Sequence, residues 1–361
     1  MFERLLTPLI STLRPHFALS NSRLMTLCVL IVGLVNGRTV NLSHLATQFP
    51  GDAQHASSYR RLQRFFQHVR FDEDIIAQLI IGVLGQTSPR YLALDRTTWK
   101  LGKRAVNVLV LAIVTRRFRV PVLWVFLGHG GCSSAQDRID LVTRYVRLFG
   151  LSGVKMLLAD REFFGTQWLE FLLKNNVPFA IRLKEDRRFQ DENGRVISLR
   201  TRLRRPKQGQ WSGWLYGMDN IPENRIHVLG KRLKGDMLFI VTNSAKPKQA
   251  LQAYRKRWAI ECLFADTKTR GLNLEDTRMT DPRKMNTVMA IIALAIVWSY
   301  RCATKRMGRK AISRKSHGRR EKSWFRIGLD TLRNWIVNKP DKAITAWRET
   351  CPKTALESKN S

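Results

Sequence analysis

The stretch Val154-Lys155-Met156-Leu157-Leu158-Ala159-Asp160 is a short apolar run closed by a single aspartate, and Tyr91-Leu92-Ala93-Leu94-Asp95 has the same form. Runs of this length, rich in Leu, Val and Ala and bounded by polar residues, read as buried strands. Two more strand-like runs, 105–115 and 119–126, lie between them. Val, Leu and Ile dominate these, and breaks at Gly102-Lys103-Arg104 and Arg116-Arg117 separate them, as in an antiparallel meander. A helix is predicted over 134–148, ending near Gly150, followed after Asp160 by a helix over 166–174 and a strand over 178–183. Strand, strand, strand, helix, strand, helix is an α/β order that lets the first and fourth strands lie side by side. As parallel neighbours they would bring Asp95 and Asp160 to one sheet edge, where open α/β folds place their sites. A lone aspartate ending a strand is a common turn residue, so the pairing carries the weight.

A third carboxylate lies in Tyr254-Arg255-Lys256-Arg257-Trp258-Ala259-Ile260-Glu261-Cys262-Leu263-Phe264-Ala265-Asp266-Thr267-Lys268. No Gly or Pro falls between 249 and 270, and Gly271 stands where a C-terminal stop belongs, which predicts one continuous helix. On such a helix Tyr254, Arg257, Glu261 and Lys268 share roughly a sixth of the circumference. A solvated stripe with one Glu/Arg pair would look the same. The two aspartates upstream favour a site, with this helix packed against the edge that carries them.

Residues 1–85 read as a helical domain, with segments at 2–13, 22–35, 42–47, 57–69 and 72–84. In the fourth segment Arg60, Arg61 and Arg64 alternate with aromatics, either as the solvated face of a core helix or as a DNA contact. The α/β core is expected over 86–300, interrupted at about 184–236 by a β-rich insertion with short apolar pieces at 196–197, 211–216 and 226–229. Within it, 200–207 reads as a cationic loop suited to nucleic acid. A strand over 237–243 returns the chain to the sheet. An apolar helix over 285–300 is expected to support that sheet. The remaining 301–361 form a basic, helical C-terminal region; from 301 to 326 the only acid is Glu321, as in a disordered arm or a DNA-binding element that folds on contact.

The chain carries 63 Lys and Arg against 28 Asp and Glu, a formal charge of +35, which calls for a polyanionic partner. Nucleic acid fits best, because the cations recur throughout, interleaved with aromatics. A membrane partner is not expected: no basic amphipathic anchor stands out, and the apolar stretches 24–35 and 288–298 are too short to span a bilayer. The first of these also lacks a signal-peptide cleavage site. Five scattered cysteines without CxxC spacing indicate reduced thiols, hence a cytoplasmic setting, and exclude a disulfide frame or zinc site.

Three carboxylates converging in so basic a protein suit two divalent cations, magnesium or manganese, about 4 Å apart, for an in-line displacement at phosphorus. Arg257 and Lys268 would then hold neighbouring phosphates, and Tyr254 would donate a hydrogen bond to one.

The spacing of Tyr254, Arg257, Glu261 and Lys268 resembles the YREK signature of the IS4 family of bacterial insertion-sequence transposases, as does Trp258 after the arginine. Leu94-Asp95-Arg96-Thr97-Thr98-Trp99-Lys100 resembles that family's first catalytic block, and Leu158-Ala159-Asp160-Arg161-Glu162-Phe163 its second. The resemblance spans about 91–297. It implies a ribonuclease-H-like core with a β insertion, Asp95, Asp160 and Glu261 as metal-binding catalytic acids, and Arg96 and Lys100 among the DNA contacts. It further implies cut-and-paste transposition: nicking at the element ends, a hairpin intermediate, then attack of the freed 3′ hydroxyl on target DNA by a homodimer holding paired double-stranded ends. Related enzymes stack a tryptophan of the insertion on a flipped base; Trp211 and Trp214 are the candidates, with a buried core role as the alternative. Two rival readings are a ribonuclease-H-like nuclease or resolvase, and a non-catalytic or domesticated DNA-binding derivative. All three acids are present, so nothing in the sequence signals decay.

Overall fold

The computed structural model describes residues 2–85, 90–101, 104–115, 117–316 and 318–348. The breaks expected at Gly102-Lys103 and Arg116, Cys351, and the C-terminal region beyond 348 lie outside them. Five helices come first: α1 (Phe2–Leu13), α2 (Asn21–Gly37), α3 (Leu42–Ala46), α4 (His55–His68) and α5 (Glu73–Leu84). Then follow β1 (Arg90–Leu101), β2 (Arg104–Val114), β3 (Arg119–Leu127), α6 (Ala135–Phe149), β4 (Val154–Ala159), α7 (Thr166–Lys174) and β5 (Phe179–Leu183). The next stretch holds β6 (Arg188–Asp191), β7 (Val196–Ser198), α8 (Leu199–Arg202), β8 (Gln208–Leu215), β9 (Ile226–Leu233) and β10 (Asp236–Thr242). The chain continues through α9 (Pro247–Tyr254), α10 (Trp258–Thr267), α11 (Pro282–Met307), α12 (Trp324–Asn338) and α13 (Pro340–Arg348). It divides into two compact units, one of Met1–Gln86, Thr98–Val106 and Leu263–Ser361, the other of Thr87–Thr97 and Asn107–Cys262.

The strands form one mixed sheet in the order β3-β2-β1-β4-β5-β10-β9-β8-β6-β7. β1 and β4 are parallel neighbours, with Leu94 opposite Ala159, and β5 runs parallel to β4 with Ile181 opposite Ala159. The predicted adjacency of the first and fourth strands is thus observed. The β-rich stretch is no separate layer: β9, β8, β6 and β7 continue the sheet beyond β10 through antiparallel pairing. Its cationic run 200–207 is not all loop, since α8 occupies its first residues, capped by Ser198 through the Thr201 N–H.

Local chemistry explains most boundaries. Asp72 caps α5 through the Asp74 N–H at 2.8 Å, and Gly85 ends that helix at φ 64°, a left-handed turn open to glycine. Ser134 and Asp137 cap each other across the first turn of α6. Asp281 caps α11 by accepting from the Arg283 N–H at 2.9 Å, with Pro282 at its first position.

Three expectations are corrected. β1 does not end at Asp95 but runs on to Leu101, because Thr97 and Trp99 alternate buried with exposed Thr98 and Lys100, a strand period disguised by polar residues. The helix expected across 249–270 is three pieces: α9, a tighter 3-10 turn over Arg255–Arg257, and α10. Backbone angles stay helical there, ψ being −31° at Tyr254, −23° at Arg255 and −19° at Trp258, but they wind toward the three-residue turn. Lys268 lies beyond the last turn of α10, which closes through Leu272 N–H to the Asp266 carbonyl at 3.0 Å.

The third correction concerns the apolar helix. α11 spans 26 residues and packs against α2, α4, α5, α12 and α13, so it is the core of the helical unit. By length alone it would reach across a bilayer, contrary to the estimate from 288–298, yet 89% of its apolar window is buried within the protein. α12 lies close on it at Gly328, where an added Cβ would stand 2.0 Å from the Ser299 carbonyl oxygen. The described part of the basic segment 301–326 is therefore partly built into helices: 301–307 end α11 and 324–326 begin α12, with Arg326 and Lys322 both paired to Asp330.

Candidate active site

The parallel register sets Asp95, in the middle of β1, level with Asp160, the first residue past β4. Each aspartate is fixed by a neighbouring amide: the Arg96 N–H donates to Asp95 Oδ1 at 2.8 Å, and the Arg161 N–H to Asp160 Oδ1 at 2.8 Å, capping a short 3-10 turn over Arg161–Phe163. α9 packs on β4, β5, β9 and β10 and ends in Tyr254, whose hydroxyl donates to the same Asp160 oxygen at 3.3 Å. The tightened turn after it presents Arg257.

Arg257 is the centre of the cluster. Its Nη1 lies 3.1 Å from Asp95 Oδ2 and 3.4 Å from Glu261 Oε1, and its Nη2 lies 3.5 Å from Asp160 Oδ2. One guanidinium therefore gathers three carboxylates from three elements. Arg257 and Asp95 side chains are each 10% exposed, Asp160 26% and Glu261 41%, so the cluster opens to solvent at Glu261.

Burial pushes the Asp95 carboxyl up to about 7, against the opposing pull of the Arg96 amide and the Arg257 charge; Glu261 and Glu162 push it the same way as burial. For Arg257, burial works to lower the pKa, but the surrounding Tyr254, Asp160, Asp95 and Glu261 outweigh it and hold the guanidinium above its ordinary value. Burial, reinforced by the Asp160 charge, raises the Tyr254 phenol. The cluster thus keeps one cation firmly charged and one carboxyl poised near neutrality.

The structure brings Tyr254, Arg257 and Glu261 together with both aspartates. Lys268 belongs to the helical unit, within which its Nζ donates to the Thr98 carbonyl at 2.9 Å and lies 3.6 Å from Glu275. Arg96 is tied to Asn107 at 3.0 Å and Glu162 at 3.4 Å, while Lys100 is exposed. On α4, Arg60 and Arg64 are exposed, but Arg61 is committed to α2: it donates to Thr26 Oγ1 at 3.0 Å and to the Ser22 carbonyl and hydroxyl at 2.9 and 3.1 Å. The Trp211 ring lies on Gly209 and Gly230, and the Trp214 indole donates to the Ile221 carbonyl at 2.8 Å. Sequence reasoning missed Glu162 and Asn107 as partners of Arg96. It also could not show that Trp258, beside Arg257, is 65% exposed.

The transposase DDE domain family matches residues 86–298, more than half of the chain and a span that holds all three carboxylates. The chain belongs to the DDE transposases. No curated protein matches it. Transposases take DNA as substrate, which accords with the charge of +35.

Domains of this kind generally use divalent metal ions. Among the described residues no set of three His, Cys, Asp or Glu groups stands in a metal-holding arrangement. The donor chemistry nevertheless fits: three hard carboxylate oxygens already surround one positive charge.

Proposed function

We propose that this DDE transposase moves an insertion sequence by metal-dependent cutting and joining of DNA, on a ribonuclease-H-like core of the IS4 type, with Asp95, Asp160 and Glu261 as the catalytic acids. The observation that carries the reading is the convergence of these three carboxylates, from β1, the end of β4 and α10, on the single buried guanidinium of Arg257. Two magnesium or manganese ions held by the three acids would activate the attacking oxygen and stabilise the leaving one.

The chain's own residues supply the rest. Arg257 and Tyr254 offer a charge and a hydroxyl to the phosphate on which charge develops, and Lys268, Lys100, Arg60 and Arg64 offer further phosphate contacts. Arg96 orients the first catalytic strand through Asn107 and Glu162 and acts by positioning. Trp258, exposed next to Arg257, is better disposed to stack on an unpaired base than Trp211, whose ring covers Gly209 and Gly230, or Trp214, whose indole is bonded to the Ile221 carbonyl. The successive steps are nicking at each element end, a hairpin, and transfer of the 3′ hydroxyl to target DNA, carried out in the cytoplasm by a homodimer on paired ends.

A supercoiled plasmid carrying the element's two ends tests this. Double-strand breaks at the ends with magnesium, none with EDTA, and none with Glu261→Gln or Asp160→Asn although both variants still bind the ends, are the expected results. Undiminished cleavage by either variant removes that acid from the chemistry, and binding with no cleavage by the wild type selects the non-catalytic derivative.

A further inference from the structure

The two aspartates of the cluster are held alike, and in each the two carboxylate oxygens have different partners. Asp95 Oδ1 accepts from the Arg96 N–H, and Asp160 Oδ1 accepts from the Arg161 N–H and the Tyr254 hydroxyl. The other oxygen of each, Oδ2, turns to Arg257, at 3.1 Å from Asp95 and 3.5 Å from Asp160, and Glu261 Oε1 meets the same guanidinium at 3.4 Å. Backbone amides therefore fix the orientation of the aspartates, while Arg257 fills the point on which the three acids converge.

That point is also where three carboxylates would hold a divalent cation, and the two occupants are incompatible. A magnesium–oxygen contact measures about 2.0–2.1 Å, shorter than every contact the guanidinium makes, so acids spaced around Arg257 cannot close on an ion until it leaves. Repulsion between the two positive charges acts in the same direction. The spacing accounts for the finding that, among the described residues, no three acids stand in a metal-holding arrangement although their donor chemistry suits one.

Arg257 is placed so that it can leave. It belongs to the short 3-10 turn Arg255–Arg257 between α9 and α10, outside the body of either helix. Its side chain is buried, but that of its partner Glu261 is half-exposed, so the cluster opens to solvent on that side. A phosphate arriving there offers the guanidinium the charge-assisted, forked hydrogen bonds that the carboxylates otherwise supply.

We propose that Arg257 is a resident counter-ion that keeps divalent cations out of the acid cluster until a DNA phosphate draws its guanidinium away. Metal loading is thereby coupled to substrate binding: DNA raises the affinity of the acids for the metal, and by reciprocity the metal raises the affinity for DNA by the same factor. The inference rests on the transposase reading and adds its regulation, since a cluster loaded only beside its substrate is not armed in the free protein.

Binding of manganese ion to the full-length protein, followed by loss of the free-ion electron paramagnetic resonance signal, tests the coupling. It is measured alone and with a duplex of an element end, and Asp160→Asn in each condition gives the binding that does not depend on the acids. The acid-dependent affinity is expected to rise about tenfold when DNA is added to the wild type, and to stand about tenfold higher in Arg257→Gln without DNA, with under about twofold further gain on adding it. Arg257→Lys, which keeps the charge but not the fork that reaches three acids, should fall between the two. The reciprocal arm needs no Arg257 variant: manganese should raise the DNA affinity of the wild type, read by fluorescence anisotropy, by the same factor. A wild type whose manganese affinity is indifferent to DNA, or a folded Arg257→Gln that binds the ion no more tightly than the wild type, overturns the counter-ion role and leaves the transposase reading intact. Manganese binding that Asp160→Asn leaves unchanged in every condition overturns both.

Discussion

Removing the guanidinium at the centre of the triad probes its electrostatics directly. In Arg257→Gln the carboxylates of Asp95 and Asp160 lose a cation 3.1 and 3.5 Å away. Burial already holds Asp95 at about 7, and Arg257 is one of the influences restraining it, so in the variant its pKa rises further. A carboxyl whose folded pKa exceeds its unfolded value costs stability progressively as pH climbs from the unfolded value, about 4, to the folded one, and the cost is complete above that. In the wild type this window closes near pH 7; in the variant it stays open beyond. The two stability profiles should therefore run parallel below pH 7 and diverge above it, by up to about 1.4 kcal/mol per pH unit. The lost 3.5 Å contact with Asp160 adds a cost of its own, and Glu261, 41% exposed, adds little because solvent screens it. The expected destabilisation is about 1 kcal/mol at pH 6 and about 3 kcal/mol at pH 8.5, the latter in the range for leaving a buried charge unpaired. Urea unfolding in EDTA at the two pH values measures it. Equal losses at pH 6 and pH 8.5 would refute the pairing of a burial-raised Asp95 with Arg257.

Other perturbations separate structural from DNA-facing roles. Arg61→Ala should lower stability by about 1–2 kcal/mol by releasing its hydrogen bonds to Thr26 and Ser22, whereas Arg60→Ala should leave the melting curve nearly unchanged and reduce the salt dependence of DNA binding by about one phosphate contact. Identical melting and binding behaviour of the two variants would contradict the distinction. Gly328→Ala forces a Cβ to within 2.0 Å of the Ser299 carbonyl oxygen and should cost about 2–3 kcal/mol through separation of α12 from α11; an unchanged thermal midpoint would show that the close approach is not needed.

Much of the fold was readable because its signals are local. The caps at Asp72 and Ser134, the stop at Gly85 and the apolar runs ending at Asp95 and Asp160 are each written within a few residues of where they act. What could not be read depends on partners distant in sequence. Arg96, Thr97 and Thr98 look like the end of a strand, and only the burial of Thr97 and Trp99 carries β1 onward to Leu101. The insertion strands look independent until their pairing shows them extending the sheet beyond β10. No Gly or Pro marks the 3-10 turn at Arg255–Arg257, so composition alone predicts an unbroken helix.

The same distinction separates what spacing says about Arg257 from what the fold makes of it. Its pairing with Glu261 is an i, i+4 contact of the kind any helix surface offers, and such a pair in water is worth little. The partners that change its character are Asp95, 162 residues away, and Asp160, supplied by adjacent parallel strands. Once they are in place the arginine is buried, and its charge becomes the counterweight that lets three carboxylates share one edge. A residue that spacing marks as a phosphate contact is thus also what holds the acids together before any DNA arrives. Under the proposed phosphate contact, binding a phosphate through Arg257 weakens its hold on the acids, leaving their oxygens in want of another cation. The spacing of Tyr254, Arg257 and Glu261 makes sense under both demands, since one tightened turn places a phenol on Asp160, a guanidinium among all three acids and the third acid toward solvent.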